Sequence, residues 1–358
     1  MKIVSIINSA EAAGAENLIL NWKNWEGSSQ NHSLIILTRP GILSEKYSRI
    51  FNDVTYLGMS YNPIRMVIAV FRAYCKIRQV NPDVIHTHLL QSDLLGLILP
   101  LKGIKLISTV HSASLLAEKK WLSRFLQKVI ARWSFKFDHV VSTSEASTIY
   151  CRNLGYNLEK VEEIHNVSRF TLHSCDEVKK FGGAYLSLSR WHPVKDHETL
   201  LDGFALHALR HEKCELILSG EGIDIHNLGL EEMLSRYNLR ERVIISTNKD
   251  NVQRYLEDAK ALVISSISES LPMAALESFS LSTPVVTSQF TGYSDFSISA
   301  ELSFGIGESK ELARSMDYLC SLKIREYSRI IDNVRARNLR FGSVNKWIYA
   351  HLRLYSLP

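Results

Sequence analysis

Short β-branched apolar runs alternate with amphipathic stretches along this chain, and near its middle the alternation stops and begins again. In the first series, Ile3 to Ile7, Ser33 to Leu37, Val84 to His88, Lys105 to Val110 and His139 to Thr143 read as buried strands. Helices are expected over Ile64 to Gln79 and Leu122 to Phe135. In the second series the strands are Tyr185 to Leu188, Glu215 to Ser219, Arg242 to Ser246, Ala261 to Ser265 and Pro284 to Thr287. Helical patterns follow at Glu198 to Arg210, Leu228 to Tyr237, Val252 to Asp258 and Met273 to Phe279. Parallel strands need crossover helices on both faces, so each series implies an α/β unit with a doubly wound parallel sheet. At 358 residues the chain exceeds what one core serves, which agrees with two Rossmann-like domains. The expected division is an N-terminal domain over 1–168, a polar linker over 169–183 ending in Gly182-Gly183, and a C-terminal domain over 184–335. A tail over 336–358 contains a helix, Val344 to Tyr355, expected to pack back on the N-terminal domain. Two such domains set two rows of strand C-termini face to face, and ligands bind in crevices of that kind.

Composition narrows the class. No run reaches the roughly 20 apolar residues that span a bilayer, and the stretch Asp93 to Pro100 is too short. Met1 to Asn8 lacks a cleavage-site pattern and reads as the first buried strand. Five scattered cysteines without C-x-x-C spacing argue for reduced thiols in a cytoplasmic protein, and against a disulfide or zinc framework. Net charge is +5 and uneven: 20 Lys/Arg against 13 Asp/Glu through Arg169, then 22 against 24. The basic half suits an anionic membrane or an acidic ligand. Nucleic acid is not expected, because no recognition motif or aromatic interleaving accompanies the charge.

The densest chemistry lies in Ser265-Ser266-Ile267-Ser268-Glu269-Ser270-Leu271-Pro272-Met273-Ala274-Ala275-Leu276-Glu277. Glu269 falls in a strand-to-helix loop, Pro272 suits the helix's first turn, and Glu277 sits about a turn and a half inside. The N–H groups and positive dipole end of such a helix favour a phosphate, and flanking carboxylates accept hydrogen bonds from sugar hydroxyls. Alone, two glutamates eight residues apart are ordinary surface groups. Ser189-Arg190-Trp191-His192-Pro193-Val194-Lys195 changes their weight, because it puts a guanidinium and an ammonium in the loop after the second domain's first strand. Diphosphate leaving groups need such cations. No D-x-D occurs, so no carboxylate pair stands ready for Mg²⁺.

These motifs resemble the family 4 retaining glycosyltransferases of the GT-B fold. Glu269 and Glu277 match their E-x7-E signature, with Pro272 as its proline; Arg190 and Lys195 match their diphosphate clamp. Gly220-Glu221-Gly222 matches the glycine turn after the next strand. More loosely, Ala13-Gly14-Ala15-Glu16 is similar to Gly-Gly-x-Glu, and Pro82-Asp83-Val84-Ile85-His86-Thr87-His88 and Thr109-Val110-His111 are similar to further segments. The pattern departs at Ala13, at Thr247-Asn248, at Ser282-Thr283-Pro284, which lacks the usual glycine before the proline, and at Thr291-Gly292-Tyr293-Ser294-Asp295.

The resemblance implies a hexosyltransferase using a nucleoside-diphosphate sugar, UDP before GDP, without a metal or other cofactor. The acceptor would be a glycan or lipid-linked saccharide in surface-polysaccharide assembly, of lipopolysaccharide or O-antigen type. By the same resemblance, Glu269 and His111 meet the transferred sugar, Arg190 and Lys195 the diphosphate, and Glu277 the ribose. Gly14, Gly220, Leu271 and Pro272 line the donor. Rival readings are a non-catalytic donor-binding subunit and a GT-B nucleotide-sugar epimerase. His86-x-His88 raises half a metal site, but no third ligand is evident and strand-end histidines are the simpler reading. Lys120, Arg124, Lys128, Arg132 and Lys136 recur every fourth residue beside Leu122, Phe125, Leu126, Val129 and Trp133. That basic amphipathic pattern suits docking on the inner face of an anionic cell membrane; the alternative is a surface helix whose apolar side packs on the sheet.

Overall fold

The buried β-branched runs form two parallel sheets. A computed structural model describes the chain apart from residues 12–13, 61, 113–120, 171–179, 248–250 and 358. The first sheet contains β1 (Ile3–Ile7), β2 (His32–Ile36), β3 (Asp53–Tyr56), β4 (Val84–His88), β5 (Lys105–Val110), β6 (His139–Ser142) and β7 (Val161–Glu163). The second contains β8 (Tyr185–Leu188), β9 (Leu216–Ser219), β10 (Val243–Ser246), β11 (Ala261–Ile264), β12 (Val285–Ser288) and β13 (Ser303–Phe304). Their orders are β3-β2-β1-β4-β5-β6-β7 and β10-β9-β8-β11-β12-β13, and these are the two parallel-sheet domains of the GT-B fold.

The chain divides into one unit of Met1–Arg169 with Gly342–Pro358 and another of Phe170–Phe341. In the first, Val4, Ile6, Ile35, Ile85 and Val140 of the strands share a core with Ala69, Ala73 and Ile77. The last three lie on the helix Pro63–Val80, where these apolar residues recur every fourth position on the buried face. That helix starts because Pro63 presets its first turn and the Asn62 side chain accepts from the N–H groups of Ile64 and Arg65, at 3.0 and 3.2 Å. It stops at Asn81, which takes the left-handed conformation (φ 48°).

The helix Val344–Ser356 completes this first unit. Trp347, Ile348, His351, Leu354 and Tyr355 form its buried face, and the Ser343 hydroxyl caps its start. The Trp347 ring meets Trp22 with centroids 5.3 Å apart. Inside the sheet layer, the Tyr355 hydroxyl and His86 Nδ1 share a hydrogen bond of 2.6 Å.

In the second unit, Leu200, Leu201 and Phe204 of the helix His197–Ala208 pack with Leu312, Met316 and Leu319 of the helix Ser309–Ser321. The break expected after residue 335 lies inside the helix Ile324–Phe341, whose Tyr327, Ile330, Ile331 and Val334 are buried. Of the expected linker, 171–179 lies outside the described residues. Its end is core: Lys180 is fully buried, and its Nζ donates to Leu256 O and Thr283 Oγ1, each at 2.7 Å. Ser282, where the resemblance misses a glycine, takes φ 56°, the left-handed region that favours glycine.

Candidate functional site

Strand order in the second sheet reverses between β8 and β11, and a doubly wound sheet opens a crevice at such a switch point. The loops leaving these two strands carry Arg190, Lys195 and Glu269. Lys195 Nζ forms an ion pair with Glu269 Oε1, with the two side chains 20% and 13% exposed. Ser266 Oγ donates to the same carboxylate oxygen at 2.7 Å. The loops are also joined through their backbones: Ile267 N–H donates to Val194 O at 2.8 Å, and Ser265 Oγ to Lys195 O at 2.7 Å. Arg190 is exposed, and among the described residues it makes no ion pair.

Gly220 and Gly222 shape this loop from below. A Cβ on Gly220 would lie 2.0 Å from Ser189 O, so only glycine lets the two strand exits approach. Gly222 sits at φ 72° against Trp191, and the Trp191 N–H donates to Glu221 O at 2.7 Å. The turn therefore positions the arginine loop. Asp196 (φ 47°) then caps the helix His197–Ala208, its side chain accepting from Thr199 N–H and Oγ1 at 3.2 and 2.6 Å.

Pro272 stands at the N-cap of the helix Met273–Ser280, one position before the first turn where it was expected. Its ψ of 111° is extended, so it ends the loop and the helix begins with Met273. Glu277 follows just over one turn in and is 6% exposed. The Leu271 side chain is packed in the core with Leu276 and Phe279.

The first sheet reverses between β1 and β4. Asn8, just past β1, accepts from Ser92 N–H and Ser92 Oγ at 3.2 and 2.9 Å, which ties the two strand exits together. Gly14 opens the short helix Gly14–Ile19 and is exposed; the buried Glu16 accepts from Ser9 Oγ at 2.8 Å. His111, just past β5, faces His88 with Nε2 to Nδ1 at 3.2 Å, and His86 lies beside His88 with ring centroids 4.2 Å apart. Burial and then the neighbouring His351 push His111 down to about 4. Burial, reinforced by the other imidazoles, holds His86 and His88 well below the ordinary histidine range. This row is therefore held in the neutral form. Among the described residues, side chains that converge closely enough for one ion lie at His207, His211 and Cys320.

Three features escaped sequence reasoning. Ser265 and Ser266 bind the clamp loops together, and only their place beside Glu269 could have singled them out. Asp93 is buried under β4 and accepts from Thr87 Oγ1; burial, opposed by that bond, raises its pKa to about 7. Leu89 holds φ 74° at the exit of β4, a conformation costly for a residue with a Cβ.

Comparison with known proteins agrees with this fold. Residues 14–167 match the model of Glycosyltransferase Family 4, and residues 180–337 match that of Glycosyl transferases group 1. Anabaena HepE, solved in complex with UDP-glucose, superposes with a TM-score of 0.83 at 18% identity, covering 100% of both chains. The lipopolysaccharide outer core galactosyltransferase WaaB, in its apo form, gives 0.67 at 17% identity, covering 98% of this chain and 100% of that one. A relative in Methanocaldococcus jannaschii, the uncharacterized glycosyltransferase MJ1059, is 21% identical over 245 residues, which span 63% of this chain and 60% of that protein. The chain belongs to the glycosyltransferases of the GT-B fold.

Proposed function

We propose that this chain is a retaining hexosyltransferase that moves a sugar from UDP to a glycan or lipid-linked acceptor of a surface polysaccharide, without a metal. The carrying observation is the pair Lys195–Glu269 at the switch point of the second sheet, beside an exposed Arg190. A donor diphosphate would draw Lys195 from the carboxylate to its phosphates. That exchange frees Glu269 to accept hydrogen bonds from the transferred sugar. Arg190 adds the second cation, and the two offset the charge that builds on the leaving UDP. Glu277, buried on its helix, is the proposed ribose acceptor; His111 is the proposed sugar contact, and Gly14 the proposed glycine of the donor loop. HepE's complex with UDP-glucose supports the donor class, and the WaaB likeness supports a surface glycan. Incubating the purified chain with UDP-hexoses and membrane glycolipid, then reading the product anomer by NMR, tests this. An inverted anomer or a strict need for Mg²⁺ would overturn the mechanism, and binding without turnover would make the chain a donor-binding subunit.

The site of work proposed is the inner face of the cell membrane. On the helix Trp121–Arg132 and the turn after it, Trp121, Leu122, Phe125 and Trp133 are exposed together with Arg124, Lys128, Arg132 and Lys136. Gln127, Ile130 and Ala131 provide the packed face instead, so the apolar residues are left outward among the cations. Lys120, the first of the expected stripe, lies outside the described residues. Among the described residues no helix is long and apolar enough to cross a membrane, so attachment would be interfacial. Reversing Arg124, Lys128 and Arg132 to Glu should abolish salt-sensitive co-sedimentation with anionic vesicles while UDP binding persists.

A further inference from the structure

Far from the clamp, the second unit gathers metal-ligating side chains that the transfer reaction does not use. His207 and His211 lie one turn apart at the end of the helix His197–Ala208 and just beyond it; Asp317 and Cys320 lie one turn apart on the helix Ser309–Ser321. One ligand atom each from His207, His211 and Cys320 falls within 4.8 Å of the others. Cys320 Sγ is 3.8 Å from His207 Nε2 and 4.0 Å from the thiol of Cys214. Zinc bonds of about 2.3 Å to sulfur and 2.0 Å to nitrogen set tetrahedral edges of about 3.5 Å between sulfur and nitrogen and 3.8 Å between two sulfurs. The two separations from Cys320 are within a few tenths of an ångström of those edges, while His211 is placed within 4.8 Å.

The surroundings are those of a ligand set. Asp317 Oδ1 accepts from His207 Nδ1 at 2.7 Å, which leaves Nε2 facing the thiols, and it also meets His211 Nε2 at 3.2 Å. Its other oxygen takes Arg210 Nε and Nη2, at 2.9 and 2.5 Å. A carboxylate that orients a ligating imidazole in this way is the usual outer partner of bound zinc. His207 is buried, whereas His211, Cys214 and Cys320 are half-buried, so an ion can enter from the surface. We propose that His207, His211 and Cys320, completed by Cys214, bind a soft divalent cation, zinc above all, with Asp317 as the orienting carboxylate. Four protein ligands close the site, so its role is structural: it fastens two helices together. Lys195 precedes the other end of the first of these helices, about 15 Å away at 1.5 Å per residue.

The test uses the full chain, without a histidine tag, stripped by chelator and titrated without oxygen. Cobalt should produce thiolate-to-metal charge-transfer and tetrahedral visible bands that saturate near one ion per chain, and Zn²⁺ should bleach them and raise Tm. C320S and H211A should each weaken Zn²⁺ binding at least about 100-fold, and D317N about 10- to 100-fold. C75S, which removes the exposed thiol outside the cluster, should bind as the parent does. H211A changes a half-exposed side chain, so it carries the test even if C320S does not fold. Absence of the charge-transfer band, or an equal band in C320S and the parent chain, would show a hydrogen-bonded core without an ion.

Discussion

The two sheets order their strands alike, yet their reversal points are built from opposite chemistry. At β8/β11 the loops carry Arg190, Lys195 and Glu269, full charges kept at or near the surface. At β1/β4 and the neighbouring exit of β5 the chain sets neutral imidazoles instead: His86 and His88 buried, and His111 half-buried beside them. The physical reason is desolvation. A charge that must meet a phosphate and then release it stays cheap only where water can reach it, while a neutral ring can be buried to hold a wall in shape. At its reversal point one sheet thus presents adjustable charge and the other neutral rings.

The contrast breaks most sharply at the clamp. R190A or K195A should each lower kcat about 10²- to 10³-fold, the scale of losing one preorganised electrostatic group, with donor turnover as the readout. Activity at 25 °C should survive EDTA. A loss below tenfold in both variants would mean that the charged loops do not meet the diphosphate.

Acid should separate the two units next. Burial depresses His32 to about 3 and His111 and His351 to about 4, and holds His86 and His88 well below the usual range; among the described residues of the second unit only His197 shows this, falling to about 4 through burial and then Lys195. Such histidines bind protons in the unfolded chain before they do so in the folded one. Their stabilising effect is therefore complete above about pH 6.5 and is lost as pH falls toward 4. His111 alone would withdraw on the order of 3 kcal/mol across that window. Trp22, Trp25, Trp121, Trp133 and Trp347 belong to the first unit and Trp191 to the second, so tryptophan fluorescence chiefly follows the first. It should begin to unfold at a higher pH than hydrogen exchange reports for the second unit. Simultaneous unfolding would erase the distinction.

Smaller effects sharpen the picture within the second unit. E277Q should weaken donor binding by roughly 1.5 to 3 kcal/mol by calorimetry, whereas E269Q should impair turnover more than UDP binding. Equal behaviour of the two variants would deny them separate tasks. Least of all, S282G should change stability by no more than about 1 kcal/mol, upward if relief of the left-handed backbone outweighs the lost hydroxyl, and Tm decides.

Central strands were legible because they are buried on both faces and therefore read as unbroken apolar runs. The three strands that the pattern missed, Asp53–Tyr56, Val161–Glu163 and Ser303–Phe304, are all at sheet edges, half exposed or only two residues long. Nothing in Asp-Val-Thr-Tyr demands a strand until a neighbour pairs with it. The clamp residues were visible because each follows a strand by a few positions. The histidine–cysteine cluster was not, since His207 and Asp317 are 110 residues apart and only the pairing of two helices joins them. Nor could spacing reveal that Gly220 serves the backbone of Ser189, a contact between two strand exits.

The helix Val344–Ser356 has a consequence for how the molecule is made. It belongs to the first unit, yet the ribosome delivers it only after all of Phe170–Phe341. Until then His86 lacks its partner Tyr355, and Trp22 lacks the rings of Trp347 and Tyr355 that cover it. The second unit, continuous in sequence, can close while the first is still waiting with an aromatic face open. Released chains truncated just short of Gly342 should thus hold a protease-resistant second half and a sensitive first half, so the part synthesised first would be the part finished last.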